Sequence, residues 1–329
     1  MADSKTSRRI PHLVHSITET IGATPLLELH RIVDRQDLDG RLLLKLDYLN
    51  PGFSKKDRVA LAMVQEARRD GSLQPGQTVV ELTSGNTGTG LAIVCRSLDH
   101  PFVAVISRGN TVERSRMMQA LGAEIVLVDQ AEGSPPGQVS GEDLALVAEA
   151  ADRIVVERDA FRADQFELSS SANAHEYTTG PEIWEQSGGT VDAFVNFVGS
   201  GGNLSGVTTY LQSVKPEVRS YAVEPAGAAV LAGQTVTKPN HPIQGGGYSM
   251  TDLTLLDITT ISGFLQVTDK QVIEATRLLA FEEGVFAGFS TGANLAAAIE
   301  LLQGDEAGST IALMACDSGL KYLSTDLYS

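Results

Sequence analysis

Cysteine is almost missing from this chain: two residues, Cys95 and Cys316, in 329. So sparse a pair excludes a disulfide-stapled framework, and both sit in apolar segments that read as sites for buried thiols. The six histidines are scattered and no grouping of His, Cys, Asp and Glu has metal-ligand spacing, so no metal is expected. No apolar run approaches the length of a membrane span, and Met1 to Pro11 is polar and basic without an apolar signal core, which makes the cytoplasm the expected address. Positive charge is also short. Against 41 Asp and Glu stand 25 Lys and Arg, a formal net charge of −16. Such a surface repels phosphate and anionic lipid headgroups at long range, which argues against nucleic-acid and membrane partners. Internal repeats and long low-complexity tracts are absent as well.

What is present describes a globular α/β protein. Hydrophobic residues make up 42% and charged residues 20%, and 329 residues suffice for a large core in two lobes. Strand-like runs fall near 41–47, 78–82, 102–107, 124–129, 193–198, 219–224, 264–268 and 310–316, mostly separated by helical stretches. That alternation predicts mostly parallel, twisted sheets covered by helices on both faces. The polar stretch Glu132 to Gly141, with Pro135-Pro136, reads as a surface loop.

Three strand-to-helix turns carry the chemistry. In Asn50-Pro51-Gly52-Phe53-Ser54-Lys55-Lys56-Asp57-Arg58, Pro51 and Gly52 break the chain before the buried helical run Val59 to Val64. Lys56 then stands at a helix N-terminus, where the dipole disfavours the ammonium form and lowers its pKa. A neutral amine is what Schiff-base chemistry needs, although a lysine taken alone reads as a solvated surface charge. The second turn, Glu81-Leu82-Thr83-Ser84-Gly85-Asn86-Thr87-Gly88, leads into a small-residue helix from Thr89 to Arg96. It presents hydroxyls, an amide and free N–H groups at a helix N-terminus, where a carboxylate would fit. The third, Gly199-Ser200-Gly201-Gly202-Asn203-Leu204-Ser205-Gly206, has glycines that let backbone wrap closely around a phosphate. Leu204 stands where a dinucleotide fingerprint needs its third glycine, and no Walker-type Gly-Lys-Ser/Thr follows, so the turn reads as a small phosphate cup. Each turn alone is equally compatible with tight α/β packing.

Together they resemble the cysteine synthase and cystathionine β-synthase family, whose O-acetylserine sulfhydrylases are pyridoxal 5'-phosphate enzymes of the tryptophan-synthase-β fold. The pattern Asn-Pro-x-x-Ser-x-Lys-Asp-Arg matches residues 50–58, and Thr-Ser-Gly-Asn-Thr-Gly matches 83–88. The resemblance continues through His175 to Trp184, Val223-Glu224-Pro225, Gly288-Phe289-Ser290-Thr291-Gly292 and Tyr322-Leu323-Ser324-Thr325.

The resemblance implies a two-lobed α/β fold, with a smaller lobe over 48–154 and a larger lobe formed by 12–47 and 155–329. Pyridoxal phosphate would lie between them as an imine of Lys56, which would then act as the base at Cα. Gly199, Ser200, Gly201, Gly202 and Asn203 would bind the phosphate, and Asn86 the ring hydroxyl. Thr83, Ser84, Thr87 and Gln165 would grip the substrate carboxylate. Ser290 would face the pyridine nitrogen, where a hydroxyl, unlike an aspartate, leaves the ring a weaker electron sink suited to losing a β-substituent. From its position alone Ser290 reads as the cap of a helix from Thr291 to Leu302. The implied reaction is β-replacement on an O-activated serine through an aminoacrylate, giving cysteine or a related β-substituted alanine. Cystathionine β-synthase-like use of serine or a larger nucleophile, a β-eliminating dehydratase, and a non-catalytic relative of the fold are the alternatives. A homodimer is the implied assembly.

The chain departs from the family at three places. Asn203 stands where Thr is usual, and its amide can still donate. Gln244-Gly245-Gly246-Gly247-Tyr248-Ser249-Met250 replaces Gly-Ile-Gly-Ala-Gly-Phe on the side where the nucleophile arrives, bringing Gly247 and Tyr248 into the substrate set. Ile106-Ser107-Arg108-Gly109-Asn110-Thr111 replaces Met-Pro-Glu-Thr-Met-Ser. Arg108 is thus a candidate for binding a carboxylate on the second substrate, and equally reads as a solvated loop arginine.

Overall fold

Leu42, Leu43 and Leu44 illustrate how the sequence builds its sheets. Successive strand side chains point to opposite faces, so a continuous apolar run can be buried on both. In the computed structural model, which describes residues 13–83, 85–110, 112–134, 139 and 141–329, Leu42 and Leu44 join one core and Leu43 another. The neighbouring strand repeats the pattern, with Ile311 and Leu313 on the first face and Ala312 and Met314 on the second.

The described strands are β1 (Leu26–Glu28), β2 (Arg41–Lys45), β3 (Val79–Leu82), β4 (Phe102–Ser107), β5 (Glu124–Val128), β6 (Phe161–Arg162), β7 (Ala193–Phe197), β8 (Arg219–Pro225), β9 (Gly263–Val267) and β10 (Thr310–Met314). They form a six-stranded sheet in the order β1-β2-β10-β7-β8-β9 and a four-stranded sheet in the order β5-β4-β3-β6. Only β1 runs antiparallel to its neighbour. Every strand expected from the apolar runs is present. The two that were not expected, β1 and β6, span three and two residues, too few to show a period. Because β6 completes the edge of the smaller sheet, that sheet draws on chain beyond residue 154.

Helices cover both faces of each sheet. Asp269–Glu283 and Phe289–Leu302 close one side of the larger sheet, and Gly180–Gln186 and Gly202–Val214 the other. Lys56–Asp70 and Asn86–Ser97 cover one face of the smaller sheet, and Gly141–Arg158 the other. The Lys56–Asp70 helix buries Val59, Ala60, Met63, Val64 and Ala67, a stripe at helical spacing, and ends at Gly71, whose φ of +85° suits glycine. Pro135 and Pro136, and with them half of the expected surface loop (135–138 and 140), lie outside the described residues.

Candidate active site

The ends of the parallel strands decide where a ligand can sit. In open α/β sheets the backbone beyond the carboxyl ends turns away into helices and leaves a crevice. Here the carboxyl ends of both sheets open onto one cavity. Thr83 follows β3, Gln165 follows β6, Ser200 follows β7 and Cys316 follows β10, and all four line it. Lys55 and Lys56 enter from the start of the helix that leads into the smaller sheet.

Lys56 is the first residue of its helix, as expected. Its ammonium donates to Gln165 Oε1 at 2.9 Å, and Thr87 Oγ1 donates to the same oxygen at 2.7 Å. Burial pushes the Lys56 ammonium down to about 7, and the Lys55 charge beside it adds to the fall. The lowered pKa was expected from the helix terminus, whereas its main physical cause is desolvation.

The turn after β3 is organised around one hydroxyl. Thr83 Oγ1 accepts from Gly88 N–H at 2.7 Å and from Gly85 N–H at 3.2 Å, which leaves its own proton for an external acceptor. Asn86 opens the Asn86–Ser97 helix, which begins three residues earlier than the expected Thr89. Its side chain is held from two sides: Nδ2 donates to Asp317 Oδ2 at 2.7 Å, and Lys321 Nζ donates to Oδ1 at 2.6 Å. Ser84 lies outside the described residues.

The glycine-rich turn after β7 packs as a close cup. Gly201, with φ +85°, caps the Gly202–Val214 helix, and a Cβ there would stand 2.9 Å from Leu256. A Cβ on Gly199 would come within 2.7 Å of Gly245 O, and one on Gly202 within 3.0 Å of Ser171 O. Asn203, in the first turn, has a buried Nδ2 without a protein partner. Gly247, with φ +68°, binds the 244–250 loop to the cup by donating its N–H to Val198 O at 2.9 Å. Tyr248 lines the cavity, its ring edge-on to Phe166 with centroids 6.2 Å apart.

Ser290 also lines the cavity. The helix it belongs to, Phe289–Leu302, is capped by Gly288 without a side-chain bond, so the cap role that position alone suggests for Ser290 is not its role. Arg108 is not brought into the cavity wall. It pairs with Asp129 at 2.7 Å, and both side chains are exposed.

Several residues of the site were not anticipated. Lys55, Phe166, Gln244, Cys316 and Tyr322 line the cavity, and Asp317 and Lys321 position Asn86. Cys316 is buried, as expected, yet it belongs to this wall. A signal for it was available: it stands two residues beyond a buried parallel strand, where α/β ligands gather. Arg58 closes the sequence pattern that contains Lys56. It is buried and bonded to Asp47 and Glu182, and Lys45 joins the same cluster through Glu182 at 2.6 Å. That cluster ties the Lys56 helix to the larger sheet.

These residues fit pyridoxal phosphate. A partly neutral lysine stands for the aldehyde, and a helix N-terminus with an unpartnered buried amide stands for the phosphate.

Comparison with known proteins agrees. The family model described as pyridoxal-phosphate dependent enzyme matches residues 17–317. A cysteine synthase of Staphylococcus aureus (strain Mu50 / ATCC 700699) is 39% identical over 318 residues, 96% of this chain and 97% of the relative. Among solved structures, O-acetyl serine sulfhydrylase isoform 3 from Entamoeba histolytica superposes with a TM-score of 0.88 at 34% identity, covering 98% of this chain and 93% of the other. An O-ureido-L-serine synthase gives 0.86 at 35% identity, covering 96% of both chains. The chain belongs to the pyridoxal-phosphate-dependent enzymes and is a β-substituting synthase that uses that cofactor.

Proposed function

We propose that the protein replaces the β-substituent of O-acetylserine with a small sulfur nucleophile, sulfide first, to give cysteine. The observation that carries this reading is the pair of bonds meeting on Gln165 Oε1. They place the Lys56 amine and the Thr87 hydroxyl, from the cofactor turn and the carboxylate turn, around one point of the cavity. The named relatives, a cysteine synthase and an O-acetyl serine sulfhydrylase, favour it over an eliminating dehydratase.

Bound pyridoxal phosphate supplies an electron sink for negative charge developing at Cα. This chain's residues do the rest. The Gly199–Asn203 cup would hold the phosphate, Asn86 the ring hydroxyl and Ser290 the pyridine nitrogen. The Thr83 hydroxyl, with Ser84, Thr87 and Gln165, holds the substrate carboxylate and fixes the direction of the Cα–H bond. Lys56, with its pKa brought to about 7, can take up the Cα proton and return it. The Cβ–O bond breaks and acetate leaves; sulfur then bonds to Cβ, its proton passing to the site or to water. Closure of the smaller lobe, 48–154 with the β6 edge, over the carboxylate would expel water before proton transfer. Gly247 and Tyr248 stand on the nucleophile's side. Arg108, engaged with Asp129, is left out of substrate selection. A homodimer in the cytoplasm completes the proposal, and light scattering tests the dimer.

The deciding experiment is the visible spectrum of the purified protein before and after O-acetylserine, followed by sulfide. We expect a yellow protein whose band moves to longer wavelength with O-acetylserine and recovers with sulfide as cysteine forms. A colourless protein that pyridoxal phosphate cannot reconstitute would end the reading. A yellow one that ignores O-acetylserine would end the choice of donor.

A further inference from the structure

Lys55 and Lys56 are adjacent in sequence, yet their ammonium groups go to different walls of the cavity. Lys56 reaches Gln165, beyond β6 of the smaller sheet. Lys55 reaches the larger sheet, where its Nζ lies 3.3 Å from Asn196 Oδ1 on β7 and 3.3 Å from Asn203 Oδ1 in the cup. Its backbone is fixed by its own N–H, which donates to Cys316 O at 2.8 Å. The Asn-Pro-x-x-Ser-x-Lys-Asp-Arg pattern leaves this position open, so nothing in the pattern asks for a lysine here.

The charge balance around Lys55 is unusual. Its hydrogen-bond partners among the described residues are two neutral amides, and no carboxylate lies within ion-pair distance of its Nζ among them. A cation held in a crevice by neutral acceptors alone gains more from an anion than a solvated one does. Three features converge beside it. The Gly202–Val214 helix spans 13 residues and points its N-terminus here. Asn203, only 8% exposed, accepts from Lys55 through one amide atom and keeps the other, Nδ2, buried without a partner. Ser200 lines the same cavity as Lys55.

We propose that Lys55 is the cationic partner of the cofactor's phosphate, acting with the Asn203 amide at the N-terminus of the Gly202–Val214 helix. The inference rests on the pyridoxal-phosphate reading above and extends it to a residue outside the family's phosphate-binding pattern. It also explains why two lysines can stand side by side in one crevice: a phosphate dianion next to Lys55 offsets the repulsion it exerts on Lys56.

The test is the affinity of the cofactor-free protein for pyridoxal phosphate and for pyridoxal, which lacks the phosphate, measured by absorbance titration. Parent, Lys55→Met, Lys55→Arg and Lys55→Gln are compared. We expect Lys55→Met to weaken pyridoxal phosphate by about tenfold or more, the usual size of a lost charge-assisted bond, and to leave pyridoxal within about twofold. Lys55→Arg should keep most of the affinity. Lys55→Gln, which retains a polar end for the two amides, gives the same comparison should Lys55→Met not fold. Equal weakening of both ligands, or of neither, overturns the role of Lys55. A parent that binds no pyridoxal phosphate overturns the cofactor reading itself, so the two failures are distinguishable.

Discussion

The amide of Asn86 and the carboxylate of Asp317 are joined by a 2.7 Å hydrogen bond across 231 residues of sequence. Asp317 Oδ2 also accepts from Tyr322 O–H at 2.6 Å, and Lys321 Nζ fills the other side of the amide. With a carboxylate on one side and an ammonium on the other, the Asn86 side chain has one orientation. The group proposed to meet the ring hydroxyl of the cofactor is thereby held before the cofactor arrives.

Asp317→Ala should therefore disturb more than the residue it removes. It leaves the Asn86 and Tyr322 donors without their acceptor, at a cost of about 1–3 kcal/mol for each group left unsatisfied. We expect lower stability in urea, together with a displaced cofactor absorption band. A variant that loses stability but keeps the parent's spectrum would remove Asp317 from the positioning of Asn86.

Arg58→Met tests the buried cluster that carries the Lys56 helix. Removing the guanidinium leaves the fully buried Asp47 without its ion-pair partner, while Glu182 keeps Lys45, and breaking such a buried pair costs about 3–5 kcal/mol. Denaturant unfolding should show a loss in that range, whereas Arg108→Ala, which breaks an exposed pair, should cost at most about 1 kcal/mol.

Lys56 makes stability depend on pH in a stated direction. Its ammonium loses its proton near 7 in the folded cofactor-free protein, against an ordinary 10.5. Between those values the folded state binds fewer protons than the unfolded one, so this group's contribution to stability rises with pH through that window. Subtracting the Lys56→Met profile from that of the parent should isolate the rise. Gln165→Glu places a carboxylate where the amide oxygen now meets the ammonium. It should raise the Lys56 pKa and narrow the window from its lower end. A difference profile flat above pH 7 would contradict the lowered pKa.

Gly199→Ala probes the cup through its neighbour. The added Cβ would stand 2.7 Å from Gly245 O and must push the 244–250 loop away. We expect weaker binding of pyridoxal phosphate than in the parent. Gly304→Ala, whose Cβ meets only Glu300 O at 3.5 Å, serves as the control with unchanged affinity.

Local pattern made much of this protein legible. Continuous apolar runs marked β2, β7 and β10 because strands buried on both faces carry such runs wherever they occur. The three turns were legible for a related reason: glycine, hydroxyl and lysine at a strand-to-helix junction act through the backbone they interrupt, within a few residues. β1 and β6 escaped because so few residues have no period and pair only where a neighbouring strand offers an edge. What the turns do to one another was decided by the tertiary structure. Burial, a property of everything packed around Lys56, is the largest cause of its lowered pKa. The separation of Lys55 from Lys56 depends on Asn196, Asn203 and Gln165, all more than 100 residues away in the chain. Arg108 looked available as a loop residue, and only the fold placed Asp129 within its reach. Sequence periodicity acts over a turn or a strand, whereas desolvation and charge act through space. The elements and the motif residues could therefore be read along the chain, while the partners that tune them could be read only from the folded molecule.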